Sequence, residues 1–421
     1  MIRHAGVRLF LIGAVLLLPI VLGAGSAQRH SHYLFVWAME AQHPNASVPD
    51  PVPGKTSSNQ MMDARRDGMG LGKDFVSVFD VGPDVHPFGK LVAMLPAGDA
   101  AMAHHTNYAM PPDGMLYAND WMANRTYVFN LRDPLRPSLQ RQFGNVGAYG
   151  WPHSFVHLAN GNTLATFQYA GGYNRAPGGL VEFDPSGGVV TASSAADNKA
   201  DPNIRPYSLT VVEKLDRVVT GSADMMEAQV SHVVQVWRLS DLKLLHTIVL
   251  PGSPYWYSDP SADSSEPRLL ADGETVVIPT FNCGLFLMRN AAAKAPTLQH
   301  VYDFGYRACE VPVVIGSYLV ETMQSGHAIV SLDMSDPEHP REAGRIPLRA
   351  DEAPHWIAVE PGGDRIVITG VGALNTRILF ATINRQTGEL KLDPQSIDMT
   401  RTWPDGWKGG AIPHGAVFSN E

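Results

Sequence analysis

Histidine opens an apolar segment at four places in this 421-residue chain: Ala103-His104-His105-Thr106, Pro152-His153-Ser154, Pro354-His355-Trp356 and Pro413-His414-Gly415. Neutral imidazole is a good donor to copper, zinc, iron and nickel. Three or four such rings at one point make a metal site, and no paired-carboxylate motif accompanies them to suggest calcium or magnesium. A lone histidine at a strand start more often only bonds a backbone carbonyl. Four at equivalent places favour a shared centre. His104 and His105 add a condition. Adjacent side chains on an extended strand face opposite ways, so both reach one ion only if the strand bends there. Otherwise one of them supports the ligands from behind.

The equivalence comes from a repeat of about 50 residues, the period of four-stranded propeller blades. Seven alternating segments lie at 74–80, 125–130, 179–184, 232–237, 284–288, 327–333 and 377–382. A further strand behind a Gly or Asp turn precedes six of them, at 114–117, 161–165, 216–219, 273–277, 316–320 and 364–368, and 33–37 serves the remaining one. Ahead of these lie short apolar segments such as 154–157, 207–211 and 356–359. Arg132-Asp133-Pro134 and Ser335-Asp336-Pro337 supply tight reversals after the third strands. No amphipathic 3.6-residue period is visible after the N-terminal segment. The pattern predicts an all-β chain, a seven-bladed β-propeller of four-stranded blades over residues 28–421. Segment 33–37 has no strand before it, whereas 412–418 is left over at the other end. Pairing them in one blade closes the ring and removes an open edge.

In such a ring the first strand of every blade lines the channel and all first strands start on one rim. Those starts are His105, His153, Tyr207, Glu266 or Arg268, Cys309 or Glu310, His355 and His414. The connections between second and third strands share that rim. Cys283 and Cys309, the two cysteines of the chain, therefore fall on one face in neighbouring blades, as a disulfide or as two buried thiols. The connection over residues 40–73 is far longer than its counterparts and carries Met61, Met62 and Met69. It reads as a surface loop, or as a lid offering thioether donors to cuprous ion.

The ends and the composition set the context. Arg3 and Arg8 precede an apolar run from Leu9 to Leu22, and Gly25-Ser26-Ala27 follows, so residues 1–27 read as a secretory signal peptide without a twin-arginine pair. The run is short for a spanning helix. The expected location is periplasmic or secreted, with no membrane association after cleavage. A formal charge of −9 and the lack of a basic stripe argue against nucleic acid.

At these residues the chain resembles the selenium-binding protein 56 family, which includes bacterial methanethiol oxidase. The matching features are Ala103-His104-His105-Thr106, residues 124–131, His153 eight residues before Gly161, residues 231–237, 332–340 and 388–394, and Pro413-His414. The likeness spans most of the chain after residue 27, and order and spacing carry more of it than any one motif. It implies a seven-bladed propeller and, for the methanethiol oxidases, a copper site; export by itself favours copper or zinc over a labile ferrous ion. Carried over by position, the ligands are His104, His105, His153 and His414. The implied reaction takes a small thiol, O2 and water to an aldehyde, hydrogen sulfide and hydrogen peroxide, with copper binding and activating the thiolate. The chain departs from the family twice. Residues 107–119 hold no cysteine of the kind associated with selenium, and His355 stands where the resemblance implies no ligand.

Three functions compete on these grounds: an exported copper oxidase of a small thiol, a non-enzymatic propeller with a structural metal or none, and a divalent-ion hydrolase. The last would need more rim carboxylates than Glu266 and Glu310, and no GxSxG motif supports a serine hydrolase.

Overall fold

The computed structural model describes Met1 and residues 32–41, 71–98, 102–121, 123–224, 231–251, 263–306, 308–371 and 375–420. Apart from Met1, the expected signal peptide lies outside the described residues, as do residues 42–70 with Met61, Met62 and Met69.

The repeated segments pair into seven antiparallel sheets. From the channel outward, blade I holds Ala103–Thr106, Met115–Asp120, Arg125–Asn130 and Ser138–Phe143. Blades II to VI repeat this order behind inner strands Tyr149–His157, Pro206–Val212, Arg268–Leu269, Val313–Ile315 and Pro354–Val359. Blade VII joins both parts of the chain: inner strand Lys408–Phe418, then Tyr33–Ala41, Leu71–Asp80 and Lys90–Gly98. Leu34 pairs with Phe418, Phe35 with Val417 and Val36 with Ala416, and the Ser419 amide donates to the Tyr33 carbonyl at 2.8 Å. This is the ring closure expected from the unpaired first segment.

Two details differ from expectation. Thr400–Thr402 folds back on the start of Lys408–Phe418 and gives blade VII a fifth strand. Strands Tyr33–Ala41 and Leu71–Asp80 also run further into the long connection than the apolar alternation indicated, pairing from Tyr33–Asp80 to Ala41–Leu71. Ladder hydrogen bonds continue where the side-chain pattern fades. Among the described residues the one helical element is the 3-10 turn Glu213–Leu215.

The middle strands are buried on both faces because neighbouring blades stack. Trp37 of blade VII sits 5.4 Å from both Tyr127 and Phe129 of blade I, and its indole N–H donates to the Asn119 carbonyl at 2.9 Å. Trp356 of blade VI donates in the same way to the Ala416 carbonyl of blade VII at 2.8 Å. Each such side chain removed from water stabilises the ring by roughly 2–3 kcal/mol. The apolar cores therefore lie between blades, and the channel is left to polar groups. A Cys283–Cys309 disulfide, with Cα atoms 5.0 Å apart, ties a turn of blade IV to the approach of blade V's inner strand.

Candidate metal centre

A one-residue excess on the inner strand recurs at the head of all seven blades; in blades IV and V it lies between Ser264 and Arg268, against Thr280–Val277, and between Cys309 and Val313, against Met323–Val320. Ala103–Thr106 stands against Asp120–Ala118, and the extra residue falls at His104-His105. The same excess falls at His153-Ser154 (Pro152–Phe155 against Phe167–Ala165) and at Tyr207-Ser208 (Pro206–Leu209 against Ser222–Thr220). It recurs at His355 (Pro354–Trp356 against Gly370–Thr369) and at His414-Gly415 (Pro413–Ala416 against Ala38–Val36). A bulge bends a strand and re-aims its side chains. In blade I it supplies the bend that two adjacent histidines require, and their rings stack 4.1 Å apart at an interplanar angle of 5°.

A bulge interrupts the ladder, and second-strand side chains occupy the gap. Asn119 accepts from the His105 amide at 2.7 Å and donates to the Pro152 carbonyl of blade II at 2.7 Å. Thr166 accepts from the Ser154 amide at 3.0 Å and donates to the Tyr207 carbonyl of blade III at 2.8 Å. Thr322 accepts from the Val311 amide and donates to the His355 carbonyl at 3.1 Å, and the Thr369 hydroxyl donates to the His414 carbonyl. Each residue thereby fixes where the next blade's inner strand begins.

The result is a cluster of five buried imidazoles, none more than 1% exposed. His104 lies 4.4 Å from His414 and 4.9 Å from His153 between ring centroids, His355 lies 4.4 Å from His414, and His105 lies 4.3 Å from His153. His105 Nε2 and His355 Nε2 approach to 3.4 Å. Two imidazole nitrogens bound to one tetrahedral ion at about 2.0–2.1 Å sit about 3.3–3.4 Å apart. One set of ring nitrogens within 4.8 Å of one another joins His104, His105, His355 and His414, and a second joins His105, His153 and Glu266. The structure thus brings together all four expected ligands and adds His355, which takes the place of His153 in the tighter quartet.

Burial, first of all, holds each ring's pKa below the usual histidine range; His104, His105 and His414 are lowered further by neighbouring imidazoles, and His355 is pushed down to about 3. The rings are neutral at pH 7 and their lone pairs are available to a metal. Neither ring nitrogen of His104 or His414 has a hydrogen-bond partner, nor has His153 Nε2. Buried polar atoms are nearly always paired, so this many orphaned nitrogens aimed at one another fit a bound cation.

The opposite side of the channel is acidic. Glu266 Oε1 lies 3.8 Å from His105 Nδ1, and Glu310 Oε2 lies 3.6 Å from His355 Nδ1. Glu266 Oε2 accepts from Arg268 at 3.0 Å and from the Tyr108 hydroxyl at 2.5 Å. Burial raises the pKa of the fully buried Glu321 well above the carboxylate range. Tyr108 is clamped between Trp356, stacked at 5.1 Å, and the Arg268 guanidinium, 4.1 Å from its ring. It also lines an open cavity of about 490 Å³ with Met110, Phe155 and Glu213, at the end of the inner strands away from the histidines.

The strand-start rule located the histidines, Tyr207, Glu266 and Glu310. It missed Tyr108, which follows the strand, and the residues that hold the bulges. Of the latter, Asn119, Thr322 and Thr369 share a place in the repeat, next to last in their second strands, and Thr166 lies in the middle of its own.

No protein-family profile matches the chain. A methanethiol oxidase from Hyphomicrobium is 23% identical over 303 aligned residues, covering 65% of this chain and 67% of that protein. Among solved structures, a hypothetical selenium-binding protein from Sulfolobus tokodaii superimposes with a TM-score of 0.69 at 15% identity, covering 93% of this chain and 94% of that one. A periplasmic gluconolactonase from Pseudomonas aeruginosa gives 0.58 at 13% identity, over 91% and 99%. The structures share the propeller fold. With the motifs around His104, His153 and His414, the sequence likeness marks this chain as a divergent protein resembling the selenium-binding protein and methanethiol oxidase family.

Proposed function

We propose that His104, His105 and His414, with a fourth imidazole from His153 or His355, hold a copper ion, and that the protein is an exported oxidase of a small thiol. The reaction is that of the methanethiol oxidases: thiol, O2 and water give an aldehyde, hydrogen sulfide and hydrogen peroxide. The observation that carries this reading is the set of buried, neutral, unbonded imidazole nitrogens converging from blades I, II, VI and VII. Copper there would supply a Lewis acid for a thiolate and a one-electron couple towards oxygen. The chain's own residues hold the rings rigidly through the bulges and keep them uncharged. Trp121, Tyr207 and Trp356 wall the rings from water, which restricts the site to a small substrate. The disulfide suits an oxidising compartment and supports export.

The test is elemental analysis of the purified protein after copper loading, with His104→Ala and His414→Ala alongside, followed by sulfide release from methanethiol. Near-stoichiometric copper in the parent, absent from both variants, is expected together with sulfide release. No metal in the parent, or metal indifferent to both substitutions, overturns the assignment. A bound but redox-silent ion would leave a binding propeller with a structural metal.

A further inference from the structure

A chain of hydrogen bonds behind His153 dictates which of its ring nitrogens carries the proton. Arginine can only donate, so Glu266 Oε2, 3.0 Å from Arg268, is an acceptor. The Tyr108 hydroxyl, 2.5 Å from the same oxygen, therefore donates its one proton there. Its remaining partners, the hydroxyls of Ser154 at 2.9 Å and Ser208 at 2.8 Å, must donate to it. With its proton committed to Tyr108, Ser154 Oγ can only accept from His153 Nδ1, 3.0 Å away. His153 is thereby fixed as the Nδ1–H tautomer, with an Nε2 lone pair that no protein atom engages. Glu266 Oε1 faces His105 Nδ1 at 3.8 Å and Glu310 Oε2 faces His355 Nδ1 at 3.6 Å, electrostatic approaches longer than a hydrogen bond, while the Nε2 atoms of those two rings meet at 3.4 Å.

We infer that Glu266 and Glu310 are positioning residues that set the tautomers of the cluster. Glu310 acts on His355, Glu266 acts directly on His105, and Glu266 acts on His153 through Tyr108 and Ser154. His105 and His355 then present Nε2 lone pairs to one cation, with the Nε2 lone pair of His153 beside His105, so His355 is a donor although the family resemblance does not imply it. This rests on the metal-binding reading above and deepens it. Carboxylate–histidine–metal triads work in this way, and loss of the outer partner typically costs 10–100-fold in metal affinity.

The test uses the full chain loaded with cupric ion. Tyr108→Phe keeps the ring between Trp356 and Arg268 but frees Ser154 to donate to His153 Nδ1 instead of accepting from it. Glu310→Leu removes the acceptor behind His355, and Glu310→Gln restores one through its amide oxygen. Competition with a chelator should show affinity falling about 10-fold in Tyr108→Phe and 10–100-fold in Glu310→Leu, with most of it recovered in Glu310→Gln. Pulsed EPR should show an altered quadrupole coupling of a remote imidazole nitrogen in the first two variants only, a change that a general loss of stability would not produce. Parent-like affinity and remote-nitrogen spectra in both Tyr108→Phe and Glu310→Leu would overturn the inference and leave the metal site standing. If the parent binds no copper, both proposals fall.

Discussion

The two arcs of the channel share the bulge and differ in what surrounds it. On the histidine arc two inner strands are long, Tyr149–His157 and Lys408–Phe418, while Ala103–Thr106 is short, and each donor is aimed by a bulge whose place is fixed by the ladder and a second-strand threonine or asparagine. On the acidic arc the inner strands shrink to Arg268–Leu269 and Val313–Ile315. Glu266 and Glu310 precede them, held by side-chain bonds and by the disulfide at Cys309, next to Glu310. The difference shows a division of labour within one repeat: backbone geometry presents lone pairs, and side-chain networks decide where the protons sit.

Acid should break the comparison most severely. Each of the five rings is held neutral by burial, so its folded pKa lies below the unfolded value of about 6.5. The unfolded chain then takes up protons that the folded one refuses. Stability of the metal-free protein falls as pH drops below about 6.5, by up to about 1.4 kcal/mol per pH unit for each ring. For His355 the loss continues down to about pH 3. Glu321 has the opposite sign. Its raised pKa contributes most below the unfolded carboxylate value of about 4.3 and fades as pH rises, but it is one group against five. Urea midpoints at pH 7.5, 6.5 and 5.5 should fall mainly over the last step, and a flat series would contradict the burial argument.

Opening the disulfide should loosen the acidic arc. Cys283 and Cys309 are 26 residues apart, and a closed loop of that length is worth roughly 3 kcal/mol. The Cys283→Ala/Cys309→Ala pair is expected to lose about that much in denaturant titration. Less than about 1 kcal/mol would show that the neighbouring bonds already hold the turn. The smallest effect tests a single bulge. Thr166→Val deletes the acceptor for the Ser154 amide and the donor to Tyr207 at nearly constant volume, which should cost about 1–3 kcal/mol. Copper affinity should fall several-fold with it, because His153 rides on that bulge. Unchanged affinity would mean that the ring is held by its own hydrogen bond to Ser154.

The blades and their closure were legible because strand alternation, turn residues and a fixed period all report the same sheets. Alternation says less where an inner strand breaks up, as at Ser264–Arg268, and nothing in it signals the extra hairpin strand Thr400–Thr402. The four histidines implied by the resemblance do converge, and the strand-start rule put His355 on the same rim; what sequence could not give is which of the five rings come within reach of one ion. That depends on one extra residue per bulge, which no residue type announces. The acidic arc was harder still. Glu266 and Glu310 were visible as strand starts, whereas their meaning depends on Tyr108, far away in sequence, reaching across the channel to Glu266.

The closing blade carries a further consequence. Tyr33–Ala41 is held between Leu71–Asp80 and Lys408–Phe418, and the second of these strands carries His414. An ion gripped by His414 and by histidines of the other blades would act as a bolt across the latch, because displacing the strand that carries His414 would surrender a ligand. By mass action, free metal at a thousand times its dissociation constant would hold that seam shut by about 4 kcal/mol. A chelator should then weaken the seam between Tyr33–Ala41 and Lys408–Phe418.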